Sequence, residues 1–227
     1  MPPKPACSLM IFLALALAAP VAAQEKLGDD PTKVTTKIGV KYNDEFSISG
    51  SLAFGPATKI NARVSPSGDF FFGGSYLFRI GIINFGAGRS TYDDGVTQTN
   101  YALGTFVPLN ALGLKSGKWL LFGTAGYNYS ESNVTYFDEE VGDFLTVPLS
   151  NNSGYLGLFA LRPISQSLTL QAGGIVIRGT DDYHGLAVGG GLTYDFSEKN
   201  SVTLSASHID NSYTNDDRVG ISLRHEF

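Results

Sequence analysis

Apolar and polar residues alternate along most of this chain with a period of two. In "VTTKIGVKY" the residues Val34, Thr36, Ile38, Val40 and Tyr42 oppose Thr35, Lys37, Gly39 and Lys41. In "EFSISGSLAF" Phe46, Ile48, Gly50, Leu52 and Phe54 oppose Ser47, Ser49, Ser51 and Ala53. Successive side chains of a strand point to opposite faces, so each segment predicts a strand with one greasy and one polar side. The same division runs through "KINARV", "LAVGGGLTYDF" and the terminal "DRVGISLRHEF", where Val219, Ile221, Leu223 and Phe227 share a parity against Arg218 and Arg224.

Twelve strands are expected, at 33–42, 45–54, 58–65, 69–78, 80–90, 99–108, 118–130, 153–163, 167–178, 184–196, 200–210 and 217–227. The boundary least marked by turn residues lies in "SYLFRIGIINF". There the apolar phase passes from Phe70, Phe72, Tyr76 and Phe78 to Ile83, Phe85 and Ala87, which a turn or a bulge would equally produce. An even strand number favours the turn. The prolines after residue 23, Pro31, Pro56, Pro66, Pro108, Pro148 and Pro163, all fall in expected ends or connections, as strand chemistry demands. Many glycines instead sit inside strands, as in "FFFGGSY" and "AVGGGL", where they permit tight curvature and close backbone approach.

A soluble sandwich also alternates, so the polar parity has to decide. It is dominated by Ser, Thr, Gly and Asn with sparse Lys37, Lys59, Arg63, Asp195, Arg218 and Arg224. A water-facing surface would carry more charge. Short polar side chains with a few paired charges suit the lumen of a membrane barrel of about 12 strands, with 8 to 12 as the range. The fold class is therefore all-β, a transmembrane antiparallel up-and-down β-barrel.

The N-terminus agrees with export. "MPPKPACSLMIFLALALAAPVAAQE" has one Lys, an apolar run from Leu9 to Ala19 and small residues at Val21 and Ala23. It reads as a signal peptide over 1–23, too short for a membrane helix. Residues 24–32 are then a short periplasmic segment and 33–227 the barrel. The only cysteine, Cys7, lies in the signal, which removes thiol chemistry from the rest. The formal net charge of −5 argues against a nucleic-acid partner. With 43% hydrophobic and 16% charged residues the chain is too apolar to be disordered.

Signal, alternating segments, flanking aromatics (Phe54, Phe78, Trp119, Tyr127, Tyr129 and Phe196) and the ending "VGISLRHEF" together resemble a Gram-negative outer-membrane β-barrel protein. The resemblance implies an outer-membrane location. It also implies contact with lipid and lipopolysaccharide, and biogenesis through periplasmic chaperones and the barrel-assembly machinery, for which Phe227, Leu223, Ile221 and Val219 would form the assembly signal. Short connections such as "GPAT", "RPIS" and "SEKN" would then be periplasmic. "STYDDGVTQT", "GTDDYHG", "DNSYTNDD" and the long "ESNVTYFDEEVGDFLTVPLSNN" would face outward.

Two loop groups suggest chemistry. Asp182 and His184, with Asp93 and Asp94, could activate a water and resemble the omptin proteases, yet two adjacent carboxylates point to opposite faces. His208 in "SHIDNS" resembles the His-x-Ser-Asn of lipid A deacylases, but Asp210 stands in the nucleophile's place and Ser212 is offset by two. The acidic groups Asp138, Glu139, Glu140, Asp143 and Asp216, Asp217 match no calcium-loop spacing. No cofactor or metal is expected. The bases Lys37, Lys41, Lys59, Arg63, Arg79, Arg178, Arg218 and Arg224 could form an anion-attracting track or pair with Asp195 and Glu226 in a plugged interior. The reading is a non-enzymatic barrel, structural or a narrow channel. An outer-membrane hydrolase and a soluble secreted β-sandwich are the alternatives.

Overall fold

The computed structural model describes residues 26–91, 97–138, 143–212 and 215–227, and of 133–148 the backbone alone. Among these residues twelve strands close into one antiparallel barrel in which each strand pairs with its neighbours in the chain and β1 with β12. They are β1 Lys37–Asn43, β2 Glu45–Phe54, β3 Thr58–Val64, β4 Phe70–Phe78, β5 Gly81–Thr91, β6 Thr97–Pro108, β7 Leu120–Asp138, β8 Asp143–Pro163, β9 Leu168–Gly179, β10 His184–Asp195, β11 Asn200–Asn211 and β12 Asn215–Glu226. Closure leaves no unpaired edge, the condition for a sheet to stand in lipid.

The greasy parity faces out. Phe46, Ile48, Leu52, Phe72, Phe85, Leu156, Leu158, Leu204, Val219 and Leu223 are all exposed large hydrophobics. Buried residues on the other parity are mostly hydroxyl-bearing: Ser51, Ser75, Thr124, Ser153, Thr169, Thr193 and Ser201. This is a soluble domain turned inside out, and it excludes the secreted sandwich. Aromatic rings mark both rims of the apolar band, with Phe54, Tyr194, Phe196 and the C-terminal Phe227 at the end that holds Lys26, the terminal end. Tyr42 and Phe46, with ring centroids 4.8 Å apart, lie at the far end. Trp119 joins the terminal-end belt beneath the Arg162 guanidinium, 5.3 Å from the ring centroid.

The phase shift after Phe78 is a turn. Phe78 pairs with Gly81, leaving Arg79 and Ile80 as the connection. "GPAT", "RPIS" and "SEKN" lie at the terminal end together. Two expectations need correction. Of the stretch 131–152, expected as a loop, residues 131–138 and 143–152 are strand: β7 and β8 run to 19 and 21 residues and pair from Leu120 with Leu161 to Asp138 with Asp143. Pro148 consequently lies inside β8, opposite Asn133, rather than in a connection. The expected first strand at 33–42 begins only at Lys37, because 33–36 belong to another structure described below.

The interior is filled unevenly. On the β4 to β9 side, large inward rings lie over inward glycines. The Phe71 ring covers Gly73 and Gly86, Tyr155 covers Gly104 and Gly126, and Phe159 lies against Gly173. A Cβ at Gly104 or Gly126 would collide with the Tyr155 hydroxyl. Phe106, Phe122 and Phe159 pack with centroids 6.1 to 6.5 Å apart beside buried Ile82 and Leu161. Across the bore, the wall from β1 to β3 with β10 to β12 carries small polar and cationic residues and lines open space.

Candidate functional site

The N-terminal segment occupies the bore at the terminal end. Residues 26–33 form a compact knot: Thr32 donates to Asp30 Oδ1 from its N–H at 2.7 Å and from its hydroxyl at 2.6 Å. Lys26 Nζ donates to the Thr32 hydroxyl at 2.7 Å and to the Thr32 carbonyl at 3.0 Å. Thr32 is 1% exposed, so the knot is packed inside the protein. Burial holds the Lys26 ammonium below the usual lysine range, with Asp30 pulling the other way.

The wall grips this knot at several points. Lys59 Nζ donates to the Lys33 carbonyl at 2.7 Å, and Ser51 Oγ to the Thr35 carbonyl at 2.7 Å. The Ala53 N–H donates to Thr36 Oγ1 at 3.0 Å, and the Phe227 N–H to the Thr36 carbonyl at 3.1 Å. Two ion pairs lock it to the last strand. Lys33 Nζ lies 2.6 Å from Glu226 Oε2, and Arg224 Nη1 lies 2.7 Å from Asp29 Oδ1. Arg224 also faces Glu226 at 3.6 Å. Gly28 lies so close to the Arg224 guanidinium that a Cβ there would overlap it.

Two cavities flank this contact. One of about 1160 Å³ lies at the terminal end, lined by Lys26, Leu27, Gly28, Lys33, Asp195 and Glu226 among others. The second, about 720 Å³, lies toward the far end, with Lys37, Lys41, Arg63, Phe71 and Gln171 in its wall. Arg224 borders both, Gly28 only the first and Asp29 only the second. The contact of Arg224 with Gly28 and Asp29 thus lies between the two cavities.

The expected lumen charges divide as follows. Lys37, Lys41, Lys59, Arg63, Asp195, Arg218 and Arg224 all sit on inward parities. Arg224 does meet Glu226, but the chief carboxylate partner is Asp29, which no local pattern reveals. Among the described residues Asp195 makes no ion pair, though it borders the terminal cavity. Arg218 pairs with Asp216 at 2.5 Å at the far mouth. Two bases are not in the lumen. Arg79 lies in the exposed β4–β5 turn, and Arg178 stands on the outward parity of β9 with Val176.

The catalytic candidates do not assemble. His184 Nδ1 lies 2.9 Å from the Asp182 carbonyl and 3.2 Å from Ser212 Oγ. A serine hydrolase needs its hydroxyl and its orienting acceptor on different ring nitrogens, whereas both crowd one here. The Ser212 hydroxyl also accepts from the His184 N–H at 3.0 Å and donates to its carbonyl at 3.2 Å, a clasp between β10 and β11. His208 pairs across the strand with Asp217, its Nδ1 2.8 Å from Oδ1, on the outward face. Asp93 and Asp94 lie outside the described residues, as do Glu139 and Glu140. Among the described residues no group of His, Cys, Asp and Glu could hold a metal.

An outward apolar band, two aromatic rims and a polar bore define a transmembrane β-barrel. The chain has the fold of the Gram-negative outer-membrane β-barrel proteins, and solved members share it. The translocator domain of the autotransporter NalP from Neisseria meningitidis matches with a TM-score of 0.66 at 15% identity, over 88% of this chain and 91% of that one. The β-domain of the Bordetella autotransporter Brka matches at 0.56 and 12%, over 86% and 100%. The NanC porin matches at 0.52 and 12%, over 85% and 98%. At such identities the likeness is one of fold. No protein-family model matches the chain, and no characterised protein matches it by sequence.

Proposed function

We propose that the protein is an integral outer-membrane barrel acting as a narrow channel, with both termini on the periplasmic side and its bore closed there by residues 26–36. The observation that carries this reading is the placement of the Arg224–Asp29 ion pair between two open cavities of the bore. A barrel serving only as a scaffold has no need of such space, and the β4 to β9 side shows how rings and glycines can fill it. The outward apolar parity would contact lipid and lipopolysaccharide. Assembly machinery and periplasmic chaperones would handle the chain before insertion.

The test is single-channel recording of the refolded chain without residues 1–23 in a planar bilayer, beside the double variant Asp29→Asn, Lys33→Gln. The channel reading expects brief openings from the first and long-lived openings from the second. Silence from both, with insertion verified, would remove the channel reading.

A further inference from the structure

The cavity on the far side of the Arg224–Asp29 pair has a charge unlike that of the chain around it. The protein is acidic, with a formal net charge of −5, yet this cavity is lined by four bases, Lys37, Lys41, Arg63 and Arg224, and one acid, Asp29. The register explains how they reach the same space. Lys41 stands opposite Ser47 on β2 and Ser222 on β12, while Arg63 stands opposite Ser49, itself opposite Gly39. Small residues separate the cations across β1, β2 and β12, while on its other side Arg63 stands opposite the inward Phe71. Arg63 and Arg218, both cationic, act on Lys41, and the Glu45 carboxylate acts on Arg63. Arg218 is held by Asp216, but among the described residues Lys41 and Arg63 make no ion pair. Four bases against Asp29 in the lining, with Glu45 beyond it also bonded by Ser67, leave the cavity an excess of positive charge, which raises the local concentration of anions.

We infer that this cavity is a binding site for a small solute carrying two or three carboxylate groups, held by Lys41 and Arg63 with Lys37 at its deep end. The inference rests on the bore being a solute path and names the solute class. The wall already holds one carboxylate: Asp29 reaches into the cavity and takes the Arg224 guanidinium at 2.7 Å, an internal example of the ligand's chemistry. Its size, about 720 Å³, falls in the range of small-molecule pockets. Asn61, Gln171, Thr203 and Ser205 add hydrogen-bonding groups for the rest of the solute. Entry is from the far mouth, since both Lys41 and Arg63 are exposed.

Calorimetric titration of the refolded, detergent-solubilised protein with citrate tests this, with sucrose and inorganic phosphate as comparison probes. Saturable citrate binding at low salt is expected, at least tenfold weaker in Arg63→Gln and in Lys41→Gln, with no binding of sucrose and weaker binding of phosphate. Heat-modified gel mobility verifies that each variant is folded. Absence of saturable citrate binding overturns the proposal, as does binding that both variants retain in full or that phosphate matches. Calorimetry needs no current, so a silent bilayer together with citrate binding would remove the channel and leave the site standing.

Discussion

Arg224 on β12 and Asp29 in the N-terminal segment meet at 2.7 Å although 195 positions separate them, and their side chains are 17% and 10% exposed. A pair this sheltered is costly to break from one side, because the survivor keeps its charge in a poorly hydrated place. Arg224→Leu strands both Asp29 and Glu226. It should lower the unfolding free energy in urea by about 2 to 3 kcal/mol, less than the loss for a dry pair because the lumen admits water. Asp29→Asn keeps an acceptor at the same place and should cost about 1 kcal/mol.

The outward parity of β12 is graded by depth. Ile221 lies nearer the middle of β12 than Leu223 does. An arginine at Ile221 should cost about 2 to 4 kcal/mol and at Leu223 about 1 kcal/mol, read from refolding into vesicles. Phe227→Ala removes the ring that packs edge-on against His225, with centroids 4.7 Å apart, at the seam. It should lower the amount assembled in the outer membrane while leaving conductance per folded molecule unchanged.

Tyr155 and Gly104 form a matched knob and hole. Gly104→Ala should destabilise the barrel by about 1 to 3 kcal/mol through overpacking. Tyr155→Phe in the same chain should restore much of that loss, since the phenol oxygen makes the worst overlap and the ring carbon behind it stays 3.1 Å from the new Cβ. At Gly126 the same rescue should fail, because a Cβ there also meets the Leu103 carbonyl at 2.5 Å. A double-mutant cycle on unfolding free energies separates the two cases.

Ser212 acts as a clasp. Ser212→Ala should cost about 1 kcal/mol and leave the lipid A of the host membrane unchanged by mass spectrometry. Loss of an acyl-chain cleavage in this variant would reinstate a hydrolase.

The barrel was legible because burial in lipid inverts a strand's faces without altering its period, and hairpins join neighbours in order. The unmarked turn at Arg79 and Ile80 shows in the sequence as a phase shift between Phe78 and Ile83, and the even strand number separates it from a bulge. Hydrophobicity failed as a guide to direction near the rims. On β9 Ile175 and Ile177 point inward with Gln171, so Arg178 faces out against its apparent parity. Residues 131–138 and 143–152 look like loop in the sequence because acids, asparagines and Pro148 dilute their alternation. Once past the bilayer, a strand needs no apolar face to persist beside a paired neighbour. The lumen plug was invisible for a different reason. Asp29 and Lys33 find Arg224 and Glu226 only after the whole sheet has closed, and no window of sequence holds both partners.

Residues 26–36 run directly into β1, and β1 is the hydrogen-bonded neighbour of the strand that carries Arg224. The segment is therefore tethered a few residues from its own receptor, and its return after any opening is an intramolecular event. Short flexible tethers give effective concentrations on the order of millimolar. A free carboxylate competing with Asp29 for Arg224 faces that standing concentration. The tether length sets, before any affinity does, the solute level at which the bore would begin to stay open.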